Sequence, residues 1–510
     1  MRGSGFVAQI PSWSVAWKGD GFRGDMQLKR WAWIWAVPSL AAGLAAGAPA
    51  WAQQPAVIAP PAAAAPVAPP TLSPAQAEVA LAVLREANLH GLRPQDYLPA
   101  DPSDGTALIE GLARYAHDLK VGRLALGDFP ANWAVRPQPY DPAPELARAL
   151  AEDRLKAWLD GLAPRYAGYV ALTRGLARYR EIAAAGGWKT IPAGSSMAIG
   201  STDPRVPALR ARLAAEDPQL TDLTSPTFDP ALQEAVVRAQ KRFGLKPDGV
   251  VGNGTLAFLN QPVGQRILQI IANLERWRWL PATMPATRVQ VNSGAAIVTL
   301  FRDDKPVLSM KAVSGKPGDE TPMLVSAIHS VVINPPWNVP TRIANEELWP
   351  KQRRDPGYFA RNDYVVLPTE GGGSRVQQKP GPKAALGRFK FDFDNPFTVY
   401  LHDTPSKGTF DLYARQASHG CVRLEKAQLL AEALLASDPK WGREGIEAQL
   451  ATGKTLRVSL SEQVPVYILY WTAFAGADGQ MHFRADPYNW DRLLLTKIGL
   501  VGQAQAKKDA

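Results

Sequence analysis

The pattern of apolar and polar positions changes along the chain. Over residues 73–187, apolar residues recur at helical spacing, as Leu81 and Leu84 do. From Arg288 onward, short apolar runs alternate with polar positions and end at turn residues. A period near 3.6 is typical of amphipathic helices, and a period of two is typical of strands. The pattern predicts a multidomain α+β chain with a helical first half and a mainly β second half.

The first half has recognisable helix starts. Ser73 is a suitable N-cap, and Pro74 fits the first helical position. Further helices are expected over residues 108–119, 145–151, 153–162 and 167–185. Together these helices predict a helical scaffold domain over residues 72–195.

A second helical unit is expected over residues 196–263. Asp229 and Pro230 supply a cap and a first turn, and the apolar residues that follow share one helical face before Gly244. A turn-rich connector leads to a short helix over residues 255–259. Periodicity leaves open whether this unit is a binding module or an ordinary helical hairpin.

The second half is expected to form a sandwich or barrel-like β core. Candidate strands lie at residues 289–292, 295–302, 307–313, 327–333, 398–402, 456–460 and 466–472. Residues 335–395 are rich in glycine and proline and predict a capping insertion, which we interpret as a lid. Trp337 and Tyr358 of this insertion are candidates for a substrate groove, or for a small core of its own.

Composition places the chain among ordinary globular proteins, at 46% hydrophobic and 20% charged residues. After the expected start at Met26, two basic residues, an apolar run and an A-x-A end at Ala52 predict an export signal in residues 1–52. An uncleaved segment would instead hold the protein at the membrane. Residues 53–71 are rich in proline and alanine and predict a linker. The formal net charge of +10 suits an anionic polymer, and no basic run points to nucleic acid.

The candidate chemistry lies around Cys421, the only cysteine of the chain. It stands in Ser418-His419-Gly420-Cys421-Val422-Arg423, and His402 precedes this stretch by a gap of fifteen residues. A thiol with a histidine can act as a nucleophile with its general base. Backbone amides around Gly420 could bind an oxyanion, and a helix expected from Lys426 could favour the thiolate if its start lay near the sulfur.

These residues also allow other interpretations. A lone cysteine is often a small buried hydrophobe, and His402, His419 and Cys421 could instead bind zinc. Asp403 follows His402, but neighbouring residues on a strand point to opposite faces. The Asp403 carboxylate is therefore not expected to orient His402.

Read as a unit, His402 and the SHGCVR stretch resemble the signature of the L,D-transpeptidases, cysteine enzymes of bacterial peptidoglycan. The resemblance, to the large periplasmic branch, implies Cys421 as nucleophile and His402 as general acid/base. It implies His419, Gly420, Arg423 and Ser418 as oxyanion or substrate-binding residues. It further implies a peptidoglycan-binding module at 196–263, a catalytic domain at 264–460 and a C-terminal extension at 461–510.

The function implied by the resemblance is the formation of 3→3 cross-links between stem peptides through a Cys421 thioester. No cofactor and no metal is expected, and the location expected is the periplasm. Peptidoglycan stem peptides are the expected partners. Whether cell-wall synthesis enzymes are also partners stays open. The alternatives are an L,D-carboxypeptidase, a transpeptidase that attaches lipoproteins, and a non-catalytic peptidoglycan-binding protein.

Overall fold

The structure, a computed structural model, describes residues 71–502. The expected export segment, all but the last residue of the expected linker, and the last eight residues of the chain lie outside the described residues. In the described part, no helix is long and apolar enough to cross a membrane.

The N-terminal part of the described chain is a helical scaffold. Its helices are α1 (Pro74–Arg85), α2 (Gly105–Val121), α3 (Ala143–Ala151), α4 (Leu155–Asp160) and α5 (Ala167–Ala184). Ser73 caps α1 through a capping box with Gln76, and Pro74 occupies the first turn, as predicted. Leu84, Leu108 and Leu112 are fully buried in the core between these helices.

A second group of helices follows and contains the predicted binding module. Its members are α6 (Val206–Ala214), α7 (Pro230–Phe243), α8 (Asn253–Leu259) and α9 (Val263–Trp277). Asp229 caps α7 by accepting from the amide of Leu232 at 2.8 Å, and Gly244 ends it with φ of 68°. The apolar face predicted for α7 is buried against its neighbours.

Helix α9 carries a buried charge that joins it to the scaffold. The Glu275 carboxylate is fully buried and accepts from Arg278 at 2.8 Å and from the Arg123 side chain at 3.3 Å. Burial raises the pKa of Glu275, but the two guanidinium groups outweigh it and hold the pKa below its usual value. This carboxylate therefore links the scaffold to the start of the β region.

Replacement of Glu275 by glutamine is expected to destabilise the fold by about 3 kcal/mol, because it leaves two buried guanidinium groups without their counter-charge. Denaturant unfolding checks this value. The control is Glu110→Gln, whose partner Arg114 is exposed and 3.9 Å away, and which should change stability by less than about 0.5 kcal/mol. Equal effects of the two substitutions would contradict the prediction.

The C-terminal half of the described chain is mainly β. Its strands are β1 (Arg288–Asn292), β2 (Ile297–Arg302), β3 (Lys305–Gly315), β4 (Leu324–Ile333), β5 (Trp337–Asn338), β6 (Tyr364–Pro368), β7 (Ser374–Gln378), β8 (Phe389–Phe393), β9 (Leu401–His402), β10 (Gln416–Ser418), β11 (Val422–Leu424), β12 (Leu456–Leu469), β13 (Ala473–Ala475) and β14 (Met481–Phe483). Its helices are α10 (Thr341–Ile343), α11 (Trp349–Arg354), α12 (Tyr358–Arg361), α13 (Ala427–Leu435), α14 (Arg443–Ala451) and α15 (Trp490–Lys497). The predicted mixed α+β class is confirmed.

The main sheet is closed into a barrel. Its strand order is β10-β3-β11-β9-β8-β4-β12-β1-β2, and β2 also pairs with β3. Inward residues such as Phe391, Leu401 and Val422 form an apolar core that includes α13. Because side chains alternate along a strand, the neighbours of each inward residue on its own strand lie on the outer face of the barrel.

The structure corrects two of the expected boundaries. The predicted insertion of residues 335–395 includes β8, which lies inside the main sheet between β4 and β9. The part outside this sheet, with β5, β6, β7 and helices α10 to α12, ends before Phe389, and we call it the cap. Strand β12 also crosses the expected end of the β domain at residue 460, since it joins two segments predicted as separate strands.

Candidate active site

Cys421 lies in a tight turn between β10 and β11. Gly420 has φ of 107°, a conformation that favours glycine. The Ser418 hydroxyl donates to the carbonyl of Cys421 at 2.6 Å and accepts from the amide of Gly420 at 3.2 Å. Thr321 donates its hydroxyl to the carbonyl of Gly420 at 2.8 Å. These bonds fix the backbone that presents the sulfur.

Cys421 does not lie at a helix N-terminus. The predicted helix is present as α13, but strand β11 separates it from the thiol. The expectation that a helix dipole favours the Cys421 thiolate is therefore wrong. Burial raises the pKa of the Cys421 thiol. Hydrogen bonding to Tyr400 lowers this pKa, as do the charges of Lys390 and Arg423, but the net effect is still a raised pKa. The resting group is a neutral thiol.

Strand register brings the two predicted reactive side chains to the same face. Strands β9 and β11 are parallel neighbours with His402 opposite Arg423, and β8 places Lys390 on the other side of His402. Val422 and Leu401 point into the core. Cys421 and His402 therefore both lie on the outer face, with the sulfur diagonally across from the imidazole.

The protonation of His402 follows from its hydrogen bond. Nδ1 lies 2.5 Å from the carbonyl oxygen of Asp403, which can only accept. Nδ1 therefore carries the hydrogen, and Nε2 keeps its lone pair. The Asp403 carboxylate is engaged elsewhere, accepting from the amide of Arg388 at 2.9 Å and from Lys407 at 2.5 Å. The backbone carbonyl of Asp403, and not its carboxylate, orients the imidazole.

His402 is neutral at any ordinary pH. Burial, then the charge of Arg423, lowers the pKa of His402 to about 3, with a smaller contribution from Lys390. The hydrogen bond to Asp403 acts in the opposite direction but is weaker. The site thus combines a neutral thiol with a neutral imidazole instead of a preformed ion pair.

These shifts predict the pH dependence of thiol reactivity. The rate of Cys421 alkylation by iodoacetamide should show no inflection near pH 6.5, the usual histidine pKa, and should still rise above about pH 8.5, the usual thiol pKa. Tyr400→Phe removes a hydrogen bond that lowers the thiol pKa, and alkylation at pH 8 should become slower. A plateau below pH 8, with an inflection near 6.5, would contradict the neutral pair.

The cap reaches the site through specific contacts. His419 Nε2 lies 2.7 Å from Glu347 Oε1, where Glu347 belongs to a π-helical turn of the cap. Trp337 of β5 hydrogen-bonds Tyr400, whose pKa is raised by burial and by Cys421. Tyr358 instead packs in the apolar centre of the cap with Phe359 and Tyr364. Of the two aromatic candidates, Trp337 lies near the thiol and Tyr358 does not.

Residues such as Tyr400 and Glu347 contribute to this site but were missed from the sequence. Tyr400 lies two positions before His402, so the strand period could have placed it on the same face. Glu347 is brought to His419 by the fold of the cap, for which the sequence gives no local signal. The predicted residues Ser418, Gly420, Cys421 and Arg423 all lie within this turn and the strand that follows.

The Ser418 side chain is engaged within the turn. It is buried, and its hydroxyl is bonded to the carbonyl of Cys421. It is therefore placed to hold the Cys421 backbone. Within residues 71–502, no group of three or more His, Cys, Asp or Glu side chains is placed to hold a metal ion.

Comparison with protein families matches three parts of the chain. Residues 286–458 match the profile described as "L,D-transpeptidase catalytic domain". Residues 70–176 match the profile described as "Scaffold domain", and residues 202–259 match "Putative peptidoglycan binding domain". The matched catalytic region contains both His402 and Cys421.

A curated relative supports the same assignment. A "Putative L,D-transpeptidase" from Haemophilus influenzae is 32% identical over 240 residues, which cover 44% of this chain and 48% of the relative. The chain thus spans about half the length of this relative.

Solved L,D-transpeptidase structures are more distant. The match to one from Xylanimonas cellulosilytica is 18% identical, covers 54% of this chain and 98% of that chain, and has a TM-score of 0.17. One from Mycobacterium smegmatis is 14% identical over 36% of this chain and 58% of its own, with a TM-score of 0.20. By these matches, this chain is similar to the L,D-transpeptidases, and residues 286–458 match their catalytic domain.

Proposed function

We propose that the protein is a peptidoglycan L,D-transpeptidase that forms 3→3 cross-links through a thioester on Cys421. One observation carries this proposal. The imidazole of His402 is neutral, its Nδ1 is occupied by a backbone carbonyl, and its Nε2 is left as a base on the face that carries the thiol. The peptidoglycan-binding domain supports the polymer as substrate.

In the first step, Cys421 attacks the carbonyl between the L-centre of the third stem residue and the terminal D-alanine. His402 Nε2 takes the thiol proton as the carbon–sulfur bond forms. The carbon–nitrogen bond then breaks, and the imidazolium returns the proton to the amine of the leaving D-alanine. Because Arg423 and burial make this imidazolium strongly acidic, proton transfer to the leaving amine is favourable.

The developing oxyanion needs donors close to the sulfur. The Gly420 amide already donates to Ser418, so we assign this role to the amides of His419 and Cys421 in the same turn. Ser418 and Thr321 are positioning residues, since they fix that turn. Arg423 lies on the outer face beside His402, where it can also contact a substrate carboxylate.

In the second step, a side-chain amine of another stem attacks the thioester. His402 Nε2 accepts a proton from this amine, and the sulfur leaves and recovers its proton from the imidazolium. An amide between two third-position residues results. The domain content supports a location in the cell wall or periplasm.

The identity of the product tests the proposal. The purified protein is incubated with tetrapeptide-bearing muropeptides, and the products are analysed by fragmentation mass spectrometry. The expected product is a tetrapeptide–tripeptide dimer that has lost one D-alanine, with its new bond between two diaminopimelate residues. Uncross-linked tripeptide alone would identify an L,D-carboxypeptidase, and transfer only to a lipoprotein lysine would identify an attaching enzyme. Binding to sacculi without turnover would leave a peptidoglycan-binding protein.

The contact between Glu347 and His419 predicts a binding effect. Glu347→Gln keeps the size of the side chain but removes its charge, so the cap holds the catalytic turn less firmly. We expect KM for the donor to rise about tenfold with little change in kcat. Glu346→Gln is the matched control, since the neighbouring Glu346 is exposed and pairs with Arg342 at 3.2 Å. An equal effect of both variants would contradict a specific role of Glu347.

A further inference from the structure

We propose that a groove between the scaffold and the barrel binds the glycan strand from which the donor stem peptide extends to Cys421. The inference rests on the proposed function and adds a second substrate site to it. The groove has a volume of about 690 Å³, within the range of small-molecule sites, and it lies at a domain junction where such sites are common.

The groove is lined by two scaffold segments and by the segment that leads to the barrel. The scaffold segments are residues 134–140 and 161–166, and the third segment is residues 278–283. Trp279 and Tyr467 also line the groove but are buried. Tyr140 and Tyr166 are half-buried, so each exposes part of a ring. Aromatic rings with one apolar face and a polar end suit the alternating apolar and hydroxyl surfaces of sugar rings.

The charge of the lining has one sign. Lys120, Arg136 and Arg165 line the groove, and among the described residues that line it there is no aspartate or glutamate. Arg136 and Arg165 are exposed. Guanidinium groups donate in a planar fork to carboxylates and amide carbonyls. N-acetylated sugars that carry acidic stem peptides offer both groups, whereas a neutral apolar ligand would leave these donors unused.

The groove and the thiol share one face of the barrel. Val325 and Tyr467, which line the groove, pair with each other across β4 and β12. Their neighbours Leu324 and Ile468 point into the barrel core. By alternation, Val325 and Tyr467 lie on the outer face, as His402 and Cys421 do. The groove and the thiol therefore both lie outside the barrel core.

The chain limits how far apart the two sites can be. Thr321 bonds the carbonyl of Gly420, and Val325 at the edge of the groove comes four residues later. Four residues of extended chain span at most about 14 Å. An extended stem covers about 10 Å from its first residue to its third, where the thiol attacks. The Ala134 amide donates to Met323 at 2.8 Å, so the wall of the groove is fixed to this same segment.

The test compares substrates with and without glycan. The double variant Arg136→Gln, Arg165→Gln is assayed on a disaccharide-tetrapeptide and on the free tetrapeptide. We expect KM for the disaccharide-tetrapeptide to rise about tenfold with kcat unchanged, and KM for the free tetrapeptide to stay the same, because the free stem does not reach the groove. The charge-matched control is Arg85→Gln, Arg114→Gln, at two exposed scaffold arginines outside the groove.

Tyr140→Leu keeps an apolar side chain and removes the ring, and it should raise the same KM about threefold. An unchanged KM for the disaccharide-tetrapeptide in the arginine variant, or an equal rise for both substrates, would overturn the proposal. Calorimetric binding of the disaccharide-tetrapeptide to Cys421→Ala, with and without the arginine changes, separates this inference from the proposed reaction. Weaker binding in the arginine variant supports the groove even if no turnover is found, and unchanged binding overturns it.

Discussion

Cys421→Ala is expected to abolish D-alanine release from a tetrapeptide donor, with a loss of at least about 10⁴-fold. The reason is that no other described group on the outer face near His402 is placed to replace the thiol as nucleophile: Tyr400 has its pKa raised by burial, and Lys390 is engaged with Asp392 at 2.7 Å. Intact-protein mass spectrometry of the wild type with donor alone should show the acyl-enzyme, and the variant should show none. Continued release by the variant would contradict the assignment of Cys421.

Cys421→Ser tests whether the reaction needs a thiol or only a nucleophile at this position. The hydroxyl occupies the place of the thiol, but it is far less acidic, and an imidazole with a pKa of about 3 is a weak base toward it. We expect less than about a thousandth of the wild-type rate. Unchanged binding of the donor to this variant would show that only the chemical step is lost.

His402→Gln is expected to lower the rate of acylation about 10³-fold, because the proton must then leave the thiol without a base and reach the amine without an acid. The measurement is single-turnover formation of the acyl-enzyme. Donor binding should change little, since His402 acts on the proton and not on the stem.

Asp403→Asn is the matched comparison for His402→Gln. The carbonyl that bonds His402 belongs to the backbone and survives the substitution, which weakens only the bonds that the carboxylate accepts from Lys407 and from the amide of Arg388. We expect acylation within about threefold of the wild type. A loss comparable to that of His402→Gln would show that the carboxylate takes part in the proton transfer.

Much of the architecture could be predicted from local signals. Ser73, Pro74 and Asp229 mark helix starts that the structure contains, because capping depends on neighbouring residues alone. The period of two predicted the strands that contribute most to the barrel core. Strand β8 was missed because its alternating run Phe389–Phe393 stands at the end of a stretch full of glycine and proline.

Less of the candidate site than of the fold could be predicted from the sequence. The motif brought together Cys421, His402 and their neighbours, but the motif does not show what surrounds them. The low pKa of His402 depends on its burial and on the charges of Arg423 and Lys390, which two strand pairings bring beside it. The contact of His419 with Glu347 spans 72 residues. Non-local contacts of this kind leave no periodic pattern that a single sequence can reveal.

The closure of the barrel has a consequence for the order in which the protein folds. Strand β1 pairs with β12, so that Val289 lies beside Val466, and the cap and the reactive turn come between them in the chain. Pairings between such distant segments form slowly, because a long loop must close before any contact repays its entropy. The ring cannot close until β12 is in place. Maturation of the thiol site therefore waits for one of the last strands of the chain, and a protein truncated before residue 456 would lack both β12 and a competent site.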